Sequence, residues 1–295
     1  MAKPMSWETQ EAYEWPVAVY LFLGGVAGAL MALGYIFRLF SSTIGMIGVT
    51  ILSGVVLFAL AGAVLVFFDL ERPVNAVYSL NNVTRSGISW DVVLIAISVV
   101  FGLLYILPIF GYLDGIGWLE YILMPYQGWF GAIAATAGFL FPVISGGLLA
   151  APVAIPLWHT PALPLLFLVT SFQLALSYIG SVFALTDAVY RIFTGGIFFL
   201  SLLIGAISLA FLEHAHNGPL EAKEGLERML KNTGFILIYV IGSLAFPLCL
   251  NAYTFFSGAF LTWLFPLTAI LLIGGGFTLR KCVVKNGVQL YPWPY

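Results

Sequence analysis

The stretch Tyr13–Leu30, YEWPVAVYLFLGGVAGAL, decides how the whole chain is read. An apolar run opens on Trp15-Pro16 and then carries Gly24, Gly25 and Gly28. In a soluble helix each of those glycines costs about 1 kcal/mol against alanine. In lipid they let a second helix backbone approach closely, and Gly24 and Gly28 have the G-x-x-x-G spacing of such contacts. Pro16 falls where a first helical turn tolerates it. Trp15 stands where aromatic residues anchor a membrane–water interface.

The rest of the 295 residues is of the same kind. Hydrophobic residues make up 61% of the chain and charged residues 8%, against about 25% charged in a soluble domain. Apolar runs of about 20 residues recur along the whole length, as helical membrane spans require. They predict an all-α integral membrane bundle of eight transmembrane helices: 16–38, 44–68, 91–112, 128–150, 162–186, 192–212, 233–256 and 259–279. The alternating pattern of a membrane β-barrel is absent. The first run is too long, and too poor in preceding basic residues, for a cleaved signal, so it is predicted to be a retained span. Pro108, Pro142, Pro247 and Pro266 mark expected kinks, tolerable where neighbouring helices satisfy the backbone.

An even number of spans puts both termini on the same face. That face receives Lys3, Arg72, Arg85, Lys223, Arg228, Lys231, Arg280, Lys281 and Lys285, and the opposite face Arg38 and Arg191. The positive-inside rule then makes the terminal face cytoplasmic. Most acids lie there too, however, and a face rich in both signs also suits docking of a soluble partner.

The chain reads as one membrane domain, 1–295, with two extramembrane pieces, 213–232 and 280–295. In the first, Asn217 is the expected N-cap and Pro219 falls in the first turn. Glu224–Arg228 and Glu227–Lys231 have the spacing of helix ion pairs. Leu220, Leu226, Met229 and Leu230 form an apolar stripe, for an interfacial helix or a partner-docking one. In the second, Asn286-Gly287 between short β-prone runs signals a hairpin, followed by the aromatic tail PWPY.

Composition also bounds the chemistry. The net charge of −2 gives no reason to expect nucleic acid. A cubane cluster needs four thiolates, and the chain has two cysteines, Cys249 and Cys282, so no iron–sulfur cluster is expected in it. Of its three histidines, His214 and His216 lie two apart at a helix end and His159 lies in a loop. No haem is therefore expected, and no zinc-type ligand cluster is evident. Hydrolytic triads, phosphate loops and dinucleotide fingerprints are missing. All acids fall at or near predicted span ends, which argues for redox chemistry confined to one face rather than a proton channel through the membrane.

The polar groups near span ends carry the functional signal. Asp69-Leu70-Glu71-Arg72-Pro73 follows the second span, and Ser86-Gly87-Ile88-Ser89-Trp90 precedes the third. These resemble the D-L-x-R-P and S-x-x-S-W-like motifs of the NrfD-like membrane subunits of polysulfide reductase. The stretch SGGLLAAPVAIPLWHTPALPLLFLVTS, Ser145–Ser171, is similar to that family's small-residue helix, P-L-W turn and L-P-x-L-F-L helix start. The resemblance covers nearly the whole chain.

It implies a haem-free, quinone-interacting membrane anchor of a respiratory oxidoreductase. Its partners would be a ferredoxin-like iron–sulfur subunit and, through that subunit, a molybdopterin catalytic subunit. Trp15, Tyr20, Asp69, Arg72 and His159 are the candidate quinone-site residues. Tyr20 can donate to a quinone carbonyl, Trp15 can wall the ring, Asp69 and Arg72 can clamp the loop or pass protons, and His159 has the chemistry of a proton carrier. Some members carry an Asn and a His where Val17 and Tyr20 stand here, and a Tyr at the position of Ile144. Two other classes fit the composition: a secondary transporter, which usually shows mid-membrane polar sites, and a structural anchor that binds no quinone.

Overall fold

A computed structural model describes residues 15–40, 44–69, 87–111, 117–183 and 185–289. Helix α1 spans Trp15–Leu39. Helix α2, Ile44–Val64, widens into a π-helical turn, Leu65–Asp69. Helix α3 is Gly87–Ile106, and a short α4, Gly117–Leu123, leads through a 3-10 turn into α5, Gln127–Ala150. Then come α6, Ala162–Val182, α7, Asp187–Asn217, and the short α8, Leu220–Lys231. A π-helical segment, Phe235–Ala245, runs into α9, Phe246–Ser257, and α10 is Leu264–Lys285.

Eight of the described helices are long and apolar enough to cross a membrane, and no strand occurs among the described residues. This is the expected all-α bundle. Phe22, early in α1, meets Phe277, late in α10, with ring centroids 6.1 Å apart. The first and last spans therefore run antiparallel, and the described chain enters and leaves at one end of the bundle, the terminal end below.

Helix α1 is the inner wall shared by two groups of four spans. It packs on α2 and α5 on one side and on α6 and α10 on the other, and every residue from Gly24 to Gly34 is buried. The opening glycines face these neighbours. A methyl group on Gly28 would strike the Gly138 backbone, and one on Gly24 the Phe141 ring, both on α5. One on Gly25 would lie 2.6 Å from Ser171 Oγ on α6. The close approach of α1 to α5 offsets the helix cost of the G-x-x-x-G pair.

Several spans differ from their expected bounds: the third is Gly87–Ile106 rather than 91–112, the fifth ends at Val182 rather than 186, and the sixth and the last differ at both ends. The sixth, α7, has 31 residues, about 46 Å at ~1.5 Å per residue, so its last turns, with Glu213–Asn217, rise beyond a hydrocarbon core of about 30 Å. The last begins later than 259 because Gly258, at φ 69°, closes α9 in the left-handed region. It also ends later. Helix α10 continues through Cys282–Lys285, the stretch expected to form the first arm of a hairpin, and Asn286 Nδ2 donates back to Cys282 O at 2.8 Å. The expected first arm is thus corrected to a helix end; the rest of the tail, from 290, lies outside the described residues. In the seventh span the π-helical register ends two residues before Pro247, which has no N–H to continue a regular ladder.

Helix α8 carries both expected ion pairs, Glu224–Arg228 at 2.9 Å and Glu227–Lys231 at 3.0 Å. Hydrogen bonding to Glu227 holds the Lys231 ammonium above its ordinary pKa. Its start is corrected: Asn217 ends α7 and Pro219 is the N-cap. Its apolar stripe is corrected too. Ala222, Gly225, Leu226 and Met229 are buried, while Leu220 and Leu230 are 67% and 46% exposed. A methyl group on Gly225 would meet Asn286 O and Leu157, so the buried face of α8 lies on the protein's own terminal end.

Candidate functional site at the terminal end of the bundle

Three spans bring one polar cluster together. Tyr20 lies five residues after Trp15 on α1 and is buried. Asp91 is the fifth residue of α3 and is 0% exposed. Ser145 lies near the end of α5 and is 2% exposed. Ser145 Oγ donates to Asp91 Oδ1 at 2.7 Å, and Tyr20 Oη donates to Asp91 Oδ2 at 3.5 Å. The first is a strong O–H···O contact; the second is well past the usual 2.5–3.0 Å range. Ser89, two residues earlier on α3, has a buried Oγ with no partner among the described residues. No described cation forms an ion pair with Asp91. A carboxylate taken out of water costs several kcal/mol unless hydrogen bonds and charges compensate, so this one is held at a cost.

A buried charge of opposite sign lies across α1. Arg280 on α10 is 1% exposed. Its Nη2 donates to Phe167 O at 3.1 Å and to Ser171 Oγ at 2.8 Å, and its Nη1 to Gly276 O at 3.0 Å. The guanidinium stands 4.8 Å from the Phe167 ring centroid and 5.5 Å from that of Phe22. Nε has no partner among the described residues. Tyr20 and Phe22 are two residues apart, about 200° around a helix, so α1 presents one face to Asp91 and the opposite face to Arg280. The reading of Arg280 as an extramembrane cation is corrected: it is a buried group inside the last span.

Of the other candidates, Trp15 and His159 do not join this cluster. Trp15 is 53% exposed at the start of α1, its ring 5.5 Å from that of Phe68 at the end of the second span. The backbone of Asp69 closes the π-helical turn; its side chain and Arg72 lie outside the described residues. His159 is exposed in the turn between α5 and α6, and its Nδ1 lies 3.0 Å from Ala150 O. It lines a shallow cleft of about 180 Å³ with Gly147, Ala150 and Thr160. Beside it Trp158 is fully buried and donates from Nε1 to Val283 O at 2.8 Å. Of the positions that differ from relatives, Val17 is buried at 1% exposure and Ile144 is half-buried.

The sequence also suggests a structural pair of Asp187 with Arg191 at the far face and interhelical hydrogen bonds from Asn251 and Tyr253, and the structure corrects all three. Asp187 and Arg191 form no ion pair with each other; the pairs among the described residues are the two on α8. Asn251 donates within its own helix, to Pro247 O at 2.8 Å, and Tyr253 is 61% exposed rather than bonded between helices. Sequence reasoning passed over Asp91 and Ser145 as site residues and took Arg280 for a surface cation. Asp91 had a signal, as the single acid at the head of the apolar run WDVVLIAISVV. Arg280 had one in the apolar residues that resume after it at Cys282-Val283-Val284.

The family model described as Polysulphide reductase, NrfD, matches residues 5–291 of the chain. No curated protein matches it.

Proposed function

The chain belongs to the NrfD family of polysulphide reductase membrane subunits, and from that premise we propose that it is the quinone-interacting anchor of its oxidoreductase complex. Membership makes it an integral membrane subunit of the polysulphide and molybdopterin-type oxidoreductases. The finer reading is that it exchanges electrons between the quinone pool and an iron–sulfur partner subunit docked at the terminal end, which in turn serves a molybdopterin catalytic subunit.

The observation that carries this is the buried Tyr20–Asp91–Ser145 cluster. Its chemistry fits a quinone head. Ser89 Oγ is a buried polar atom without a partner among the described residues, and Tyr20 and Ser145 bring two hydroxyls onto the Asp91 carboxylate. A bound quinone supplies two-electron, two-proton redox chemistry. Tyr20 donates a hydrogen bond to a carbonyl oxygen. Asp91 holds and releases the proton, and Ser145 fixes the orientation of its carboxylate. Trp15 walls the entrance. His159 carries protons from the surface, since Ala150, to which it is tethered, follows Ser145 by five residues, about 7.5 Å along α5. The backbone of Asp69 closes the second span at the same end. Arg280 sets a positive potential across α1, which favours negative charge in the cluster.

The test is photo-crosslinking with an azidoquinone on the purified complex. Labelled peptides from the terminal ends of α1, α3 and α5, weakened in Tyr20→Phe, support the reading. Labelling confined to other spans, or a complex lacking any iron–sulfur subunit, overturns it.

A further inference from the structure

A groove of about 460 Å³ opens between the start of the seventh span and the end of α10, at the terminal end. Its two ends differ in chemistry. Lys281 and Lys285 stand one turn apart on α10 at its mouth, both exposed, and neither forms an ion pair among the described residues. Facing them is the N-terminus of the seventh span, where Asn232 Oδ1 accepts from Gly234 N at 2.9 Å and Phe235 N at 3.3 Å. That helix end adds partial positive charge. No acid lines the groove, and the nearby carboxylates Glu224 and Glu227 are taken by Arg228 and Lys231. Deeper in, the walls turn apolar, with Ile238 from one span and Gly274 and Phe277 from the other.

The apolar lane continues toward mid-membrane. Leu237 and Ile241 are 56% and 50% exposed on the seventh span, and Ile270 and Ile273 are 66% and 50% exposed on α10. Gly274 keeps the lane open, since a methyl group there would come within 3.2 Å of the Ile238 side chain. Two lysines above an outward-facing apolar channel match a molecule with an anionic head and a hydrocarbon tail. A quinone, whose head is neutral, leaves the lysine charge unanswered. A soluble anion leaves the apolar lane unused.

We infer that this groove is a binding site for an anionic phospholipid, headgroup on Lys281 and Lys285 and acyl chain along Ile238 and Phe277. The site is independent of the redox reading, because it lies on the outer side of the second four-span group and shares no residue with the Tyr20–Asp91–Ser145 cluster.

Each lysine near a lipid surface contributes about fivefold in affinity for anionic lipid, so two predict roughly a thirtyfold preference at low salt. The test titrates the purified chain in detergent with phosphatidylglycerol or phosphatidylcholine of identical acyl chains and counts bound lipid by native mass spectrometry. The expected result is one tightly held phosphatidylglycerol, a preference falling below about threefold in Lys281→Gln/Lys285→Gln, and no displacement by soluble glycerol 3-phosphate. Equal binding of the two lipids, or a preference that survives the double substitution, overturns the assignment. Displacement by glycerol 3-phosphate also overturns it, in favour of a free-phosphate site. If the double variant does not accumulate, the wild-type chain decides. A preference that shrinks as salt rises from about 20 mM to about 500 mM supports the site, and a salt-independent one overturns it.

Discussion

Ser145 Oγ on the fourth span stands 2.7 Å from Asp91 Oδ1 at the head of the third. This short contact fixes a carboxylate that is wholly enclosed and leaves its second oxygen to the more distant Tyr20 hydroxyl at 3.5 Å. Both carboxylate oxygens thus face a hydroxyl, one at a short and one at a long distance, and the proton-holding role proposed for Asp91 rests on this pair.

Asp91→Asn keeps the shape and removes the ionisable group. Quinone-linked turnover of the complex is expected to fall about a hundredfold or more, with electron transfer from the iron–sulfur partner to a soluble dye unchanged. Tyr20→Phe removes the hydroxyl proposed to donate to the quinone and is expected to weaken quinone-analogue binding about tenfold. Full quinone turnover in Asp91→Asn would remove the cluster from the mechanism.

His159→Ala is expected to slow quinone turnover, with added imidazole restoring the rate. The tether to Ala150 O is a structural contact that imidazole cannot rebuild. A slowed rate without rescue therefore assigns His159 to loop positioning alone.

Proton exchange is expected on the terminal face only. Asp91 and Tyr105 are 14 residues apart on α3, about 21 Å, and Ser98 is the one polar side chain between them in the sequence. Two gaps of about 10 Å exceed any direct hydrogen bond. Sealed vesicles carrying the complex, with pH dyes on each side, test this. Proton uptake from the far side during turnover sinks it.

Gly28→Ala places a methyl group against the Gly138 backbone and is expected to destabilise the chain by about 1–3 kcal/mol. Gly45→Ala, where nothing lies within 4 Å, is expected to stabilise by up to about 1 kcal/mol. Thermal unfolding in one detergent compares the two, and equal shifts would contradict the close α1–α5 approach.

Arg280→Met removes a buried charge that has no described carboxylate partner and fills the same space. A loss below about 2 kcal/mol is expected, since the released acceptors are helix carbonyls and a hydroxyl that keep other bonds. Arg280→Glu is expected not to accumulate. Size-exclusion profiles from detergent extracts distinguish these outcomes.

Periodicity and composition gave the eight spans, because a bilayer demands about 20 apolar residues per crossing whatever their neighbours are. The ion pairs of α8 were legible for the same reason: spacing of four on a helix is local geometry. The buried stripe of α8 was not. Which side of that helix is covered depends on Leu157 and Asn286, residues remote in sequence.

The candidate site divides in the same way. Trp15 and Tyr20 were found from their position at the head of a span, and His159 from its residue type. Asp91 and Ser145 are 54 residues apart, and Arg280 and Ser171 109 apart; each looks like an ordinary span-end residue in its own segment. The sequence alone determined that the chain lives in a membrane, how many times it crosses, and that Gly24 and Gly28 seek another helix. The tertiary structure decided which helix that is, and that α1 separates a buried acid from a buried base. The reason is that hydrophobic periodicity is written along the chain, whereas the pairing of buried polar groups is set only where helices meet.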